Sequence, residues 1–326
     1  MPIISAQNCL EFAARALEAY DVQALEVTFI QHSENMTFHV KASQGEYVLR
    51  LHVPVTPAFG DHGSNRAAVN SEMLWLVELR KGRFPVPAPV KTRKGEYTAQ
   101  VDDINVTLLK WLDGELLTGE TETEQTAAQI GSLVGRLHQQ SAHWTTPRGF
   151  TRPTRNAAYF ENALLALWPA VGDGRISSQD YSTLQTSISW LTGEVRSLSS
   201  TRTTFGLLHG DLHRGNFLIH RAKIRLIDFS MSGFGHYAYD LGTCLSNIRT
   251  AHHAAFLENY TQYFSLPKTY GRLVEAYFVG SWVVTFALWI TDADSQETLV
   301  QRVPFIANEY AERFNRDERF WFNEKY

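Results

Sequence analysis

His209-Gly210-Asp211-Leu212-His213-Arg214-Gly215-Asn216-Phe217-Leu218-Ile219 is the stretch on which the reading of this chain turns. Glycine and polar residues on both sides of Leu212 favour a loop. Phe217-Leu218-Ile219 and Ile224-Arg225-Leu226-Ile227 are short β-prone runs, suited to the two arms of a hairpin. A hairpin there returns the chain on itself and carries Asp228-Phe229-Ser230 back towards Asn216.

A carboxylate, an amide and a second carboxylate in that order match the needs of phosphoryl transfer from ATP. One carboxylate accepts the proton of an attacking hydroxyl. An amide oxygen and another carboxylate hold Mg²⁺ against the phosphates. Hard oxygen donors suit magnesium, and no Cys/His cluster of zinc type is present. The only cysteines, Cys9 and Cys244, lie far apart and form no CxxC pair.

On the N-terminal side the sequence is rich in strand signals. Leu10 to Ala19 has helical spacing, and then Leu25–Ile30, Met36–Ala42 and Tyr47–Leu51 read as a three-stranded antiparallel meander. A helix is expected from about Arg66 to Leu79. Phe84-Pro85-Val86-Pro87-Ala88-Pro89 forces an extended connector, because proline lacks the amide donor and restricts the residue before it. Strands are expected at Val90–Thr92, Tyr97–Val101 and Asn105–Trp111, ending at the Asp113-Gly114 turn. Beyond it the periodicity is helical, at Thr123–His138, Ala157–Trp168 and Gln179–Leu198 and again after the β-rich island at 206–229. The expectation is an α/β (α+β) fold with a β-rich lobe over 1–112 and a mainly helical lobe over 113–326.

Composition narrows the function classes. Charged residues make up 20% and hydrophobic residues 44%, as in globular proteins. The formal charge of −4, with no basic block, argues against a nucleic-acid surface. No basic stretch followed by an apolar run opens the chain. The apolar segment from Ala276 to Ile290 is shorter than the ~20 residues that span a bilayer, so a buried helix, no membrane association and a cytoplasmic setting are expected.

The form H-G-D-L-H-x-G-N followed by I-D-F resembles the aminoglycoside phosphotransferase and choline kinase-like family, whose relatives include homoserine kinases and stress-response protein kinases. The resemblance implies a protein-kinase-like two-lobed fold, with ATP and Mg²⁺ as cofactors and nucleotide between the lobes. It implies Asp211 as catalytic base, Asn216 and Asp228 as metal ligands, and His209 as a structural member of the loop. Asn35-Met36-Thr37-Phe38-His39-Val40 is similar to the hairpin that covers the phosphates, which gives Ser33 and Asn35 polar contacts with nucleotide. Arg50 stands where the family commonly has a lysine, with Glu72 as its partner on the next helix. Lys110 and Leu112 fall on the segment that meets adenine. The likeness extends through Tyr239-Asp240-Leu241-Gly242, where Asp240 is expected to cap or tie down a helix start. It covers roughly residues 27–247. The covering loop carries no glycine, and the metal triplet ends in Ser230.

A hydroxyl-bearing small molecule is the expected acceptor, with Trp282, Phe286 and Trp289 and the acidic Asp292, Asp294 and Glu297 as candidate acceptor contacts. Three other readings stand beside this one. A binuclear metallophosphatase would share Gly210-Asp211-Leu212-His213 but needs a Gly-Asn-His motif that the chain lacks. A pseudokinase would lack one of the three polar groups. A protein Ser/Thr kinase of the stress-response type retains them all, yet no A-P-E anchor follows Asp228.

Overall fold

Alternation along two strands sets the first layer. Met36, Phe38 and Val40 are buried while Thr37 and His39 are only partly covered, and Tyr47, Leu49 and Leu51 repeat the pattern one strand over. These residues lie in β2 (Met36–Ala42) and β3 (Gly45–Leu51), which follow β1 (Ala24–His32) as the expected meander. The structure, a computed structural model, describes residues 8–32, 35–53, 65–266, 270–292 and 296–322. It divides into two compact units: Met1–Leu116, Thr146–Arg152 and Phe217–Ser230 form the first, and Leu117–Thr145, Pro153–Asn216 and Met231–Tyr326 the second.

In the first unit β4 (Thr98–Val101) and β5 (Ile104–Lys110) complete a five-stranded antiparallel sheet of order β1-β2-β3-β5-β4. Helix α1 (Cys9–Leu17) lays Phe12, Ala13, Ala16 and Leu17 on the sheet's buried face. Helix α2 (Arg66–Lys81) begins where the Asn65 side chain accepts from the amides of Ala67 and Ala68. The strand expected at Val90–Thr92 does not form. Only isolated bridges occur there, Pro89 to Leu109 just before it and Thr92 to Tyr20 at its end, because the prolines before it supply no amides for a ladder. A second sheet joins β6 (Glu115–Leu116), β8 (Phe217–His220) and β9 (Lys223–Leu226), so the hairpin after Asn216 belongs to this unit.

The second unit is helical. Helix α3 (Glu124–His143) starts in a capping box between Thr123 and Thr126. Helices α4 (Ala157–Ala166), α5 (Trp168–Gly172), α6 (Ser178–Ser197), α7 (Ala238–Ser246), α8 (His253–Tyr260) and α9 (Tyr270–Trp289) follow, and short helices complete residues 296–315. α3 packs on α8, and α9 packs on α4, α6 and α7. α9 is the apolar segment, buried along most of its length from Val274 to Ala287. Among the described residues no helix is long and apolar enough to cross a membrane. Between α6 and α7 lies a two-stranded ribbon, β7 (Phe205–Leu208) with β10 (Gly233–His236), and β10 carries no strand signal in the sequence beyond its position.

Candidate active site

β7 delivers the chain into the loop at His209, and two buried groups fix the loop backbone. Asp240, in the first turn of α7 and fully buried, accepts from the amides of His209 and Gly210, each at 2.8 Å. Its partner His138 lies 3.1 Å away and is itself 2.9 Å from the Tyr260 hydroxyl. Burial pushes the Asp240 carboxyl upwards, but the His138 contact and the loop amides outweigh it and hold it below the ordinary carboxylate range. Asp240 therefore anchors the loop at His209 and Gly210 and not the helix start expected of it from sequence. Arg155, 1% exposed, donates to the Met231 carbonyl at 2.5 Å and the Gly210 carbonyl at 3.4 Å, with the Tyr239 ring 4.8 Å away. Gly210 has φ +83°, and a Cβ there would sit 2.2 Å from Arg155 Nη2 and 2.4 Å from Met231 O. Only glycine fits.

The next residue is Asp211. The Asn216 amide donates to its Oδ2 at 2.8 Å and to its carbonyl at 2.7 Å. His213 Nε2 lies 3.2 Å from the same Oδ2, and His213 Nδ1 accepts from the Gly215 amide at 3.0 Å. A neutral imidazole protonated at Nε2 satisfies both contacts. The Asp211 side chain is 40% exposed, so it is reachable from solvent. Desolvation raises its carboxyl, yet the hydrogen bonds from His213 and the Asn216 amide bring it below the usual range. It is an oriented carboxylate, ionised at neutral pH. Further along the loop Arg214 donates to the buried Glu122, which also accepts from the Arg249 amide and contacts His252.

In the first unit Arg50 and Glu72 form a buried pair, Nη1 to Oε1 at 2.6 Å. The other Arg50 nitrogen, Nη2, is 3.9 Å from Asp228 Oδ1. The Asp228 carboxylate is 38% exposed, and its Oδ1 accepts from the Ser230 hydroxyl at 2.7 Å and amide at 3.2 Å. The pair expected from β3 and α2 is thus made, with a metal-ligand candidate beside it. Taken separately, each group is of a kind that suits magnesium: Asp228 in the first unit offers a carboxylate, and Asn216 in the second commits its amide nitrogen to Asp211 and keeps its carbonyl oxygen as a donor.

The other expected residues are more scattered. Ser33 and Asp294 lie outside the described residues, whereas Asn35 is buried at the start of β2. Lys110 donates to the Tyr47 hydroxyl at 2.8 Å, and Leu112 is half-buried just beyond β5. Phe286 is a core residue of α9. Trp282 is half-buried against Phe286, with the Arg302 guanidinium 5.8 Å above its ring. Trp289 is half-buried too and Glu297 exposed. Arg152, Arg155 and Glu122 escaped the sequence reading. Their partners are 55 to 130 residues away, and no local pattern marks them.

Comparison with known proteins gives a consistent result. The profile of a family described as "Phosphotransferase enzyme family" matches residues 26–275. An amicoumacin kinase of Bacillus subtilis (strain 168) is 24% identical over 243 residues, which is 72% of this chain and 67% of that one. Among solved structures, an amicoumacin kinase in complex with AMP-PNP, Ca²⁺ and Ami aligns over 94% of both chains with TM-score 0.75 and 19% identity. A microcompartment-associated aminopropanol kinase aligns over 94% of this chain and 98% of that one, with TM-score 0.75 and 22% identity. The two-lobed kinase-like fold is shared with both.

Proposed function

From the membership of this chain in the phosphotransferase enzyme family we infer that it moves the γ-phosphoryl group of ATP, with Mg²⁺, to a hydroxyl of a small molecule. The observation that carries this reading is the Asp211 carboxylate, half-exposed, kept ionised and aimed by Asn216 and His213 on a backbone clamped by Asp240. A positioned carboxylate of this kind accepts the proton of the attacking hydroxyl. Arg50, oriented by Glu72, presents its planar fork to phosphate oxygens. Asn216 and Asp228 are the oxygen donors for magnesium, which supplies neutralisation of phosphate charge. Asn35, Lys110 and Leu112 are assigned to nucleotide contact, as is Ser33. The AMP-PNP and Ca²⁺ complex of an amicoumacin kinase supports ATP and a divalent cation as its cofactors. The aminopropanol kinase supports an amino alcohol as acceptor class.

The test is a competition. Transfer from labelled ATP is measured to a panel of amino alcohols and hydroxylated antibiotics, and to a generic protein substrate. Phosphorylation of at least one small alcohol, absent without magnesium, is the expected result. Turnover on protein serine or threonine with none on any small alcohol would leave a kinase but overturn the acceptor.

A further inference from the structure

Arg152 is an arginine buried as deeply as a core residue, its side chain only 1% exposed. Its donors go to backbone carbonyls. Nη2 donates to the Ser230 carbonyl and reaches the Phe229 carbonyl at 3.4 Å, while Nη1 donates to Ala68 in α2 at 3.1 Å. Nη1 also lies 4.0 Å from Glu72 Oε2, on the side of that carboxylate opposite its bond to Arg50. One residue earlier, the Thr151 amide donates to the Ser71 hydroxyl at 2.9 Å, which docks the segment on α2. A single guanidinium thus ties the helix carrying Glu72 to the two peptides that follow Asp228.

Asp228 has φ +57°, in the left-handed region. A non-glycine residue keeps such a conformation only where the surroundings over-determine it. The Phe229 and Ser230 carbonyls are the next two acceptors along the chain, so whatever fixes them fixes the direction of the Asp228 carboxylate. We propose that Arg152 is a positioning residue for phosphoryl transfer, which holds Asp228 in its metal-binding orientation and registers it against the Arg50–Glu72 pair. The role is that of an outer-shell partner, whose loss typically costs ~10–100-fold in metal affinity. It rests on the reading of Asp228 as a magnesium ligand.

Sign separates positioning from simple charge. A cation 4.0 Å from Glu72 and bonded to the carbonyls one and two residues past Asp228 repels a metal, so removing it as a mere charge would tighten magnesium binding. Removing it as a positioning group weakens binding. The experiment titrates ADP into wild type, Arg152→Met, Arg152→Lys, Asp228→Asn and Leu17→Ala by calorimetry, in saturating Mg²⁺ and in EDTA, with Tm recorded for each. Leu17, the buried last residue of α1, is the control for general loss of stability. Arg152→Met is expected to weaken Mg-ADP binding by about 10-fold or more, with ADP affinity in EDTA unchanged. Arg152→Lys, which keeps the charge and one of the carbonyl contacts, is expected between wild type and Arg152→Met, and it decides the matter if the methionine variant does not fold. Wild-type or tighter Mg-ADP binding in the arginine variants, alongside the Tm loss of Leu17→Ala, would overturn the inference while a weakened Asp228→Asn keeps the metal reading. Wild-type Mg-ADP binding in Asp228→Asn would overturn both.

Discussion

Asp211 combines two properties that compete in most settings: enough exposure to meet a substrate, and enough hydrogen bonding to stay ionised and aimed. Replacing it by Asn keeps the shape and removes the base. Turnover should fall by ~10²–10⁴-fold with Tm little changed, as read by coupled ADP assay and thermal melt. Because its carboxyl is depressed, the base is in its active form throughout neutral pH and is lost only as pH falls below the usual Asp value of about 3.9. His213→Ala removes the leading cause of that depression, so the acid limb of kcat/KM should move to higher pH. An unmoved limb would separate His213 from the base. Arg50 and Glu72 make a second testable unit. Their 2.6 Å bond predicts non-additive losses in a double-mutant cycle on ATP KM, with coupling of roughly 0.5–3 kcal/mol, and strictly additive losses would show that the pair does not act jointly on nucleotide.

At the scale of elements, the helices that support the loop meet through glycine. Gly131 of α3 faces α8 so closely that a Cβ would lie 2.1 Å from the Phe256 carbonyl oxygen. A backbone oxygen cannot swing aside as a side-chain tip can. Gly131→Ala should therefore force the helices apart and cost about 1–3 kcal/mol, measured as a lower urea midpoint at constant m-value. α3 itself was legible from periodicity, and the meander and the hairpin after Asn216 from their β-prone runs. Val90–Thr92 was misread, since β-prone residues do not make a strand when neighbouring prolines remove ladder donors. β10 was missed because four residues, two of them glycine, carry no periodicity; its pairing with β7 is decided by contacts formed elsewhere.

For the whole molecule, binding and stability are linked. A nucleotide that binds only the folded chain adds ~2.7 kcal/mol of stability at a hundredfold excess over its Kd. Mg-AMP-PNP should thus raise Tm in wild type, and Asp228→Ala should abolish the magnesium-dependent part of that rise while leaving any rise seen in EDTA. Equal shifts with and without metal in wild type would remove magnesium from the proposed chemistry. The sequence alone carried the proposed chemistry, because two carboxylates and an amide with short, specific spacing sit in one stretch from Asp211 to Asp228. It also determined most elements, since hydrophobic period and caps are local. Only the tertiary structure decided what holds those groups in place: Asp240 under the loop amides, Arg155 and Arg152 on carbonyls far along the chain, and Gly210 where a Cβ would collide. The physical reason is that a buried charge finds its partners through packing of distant segments, and no window of neighbouring residues records which carbonyl it will meet.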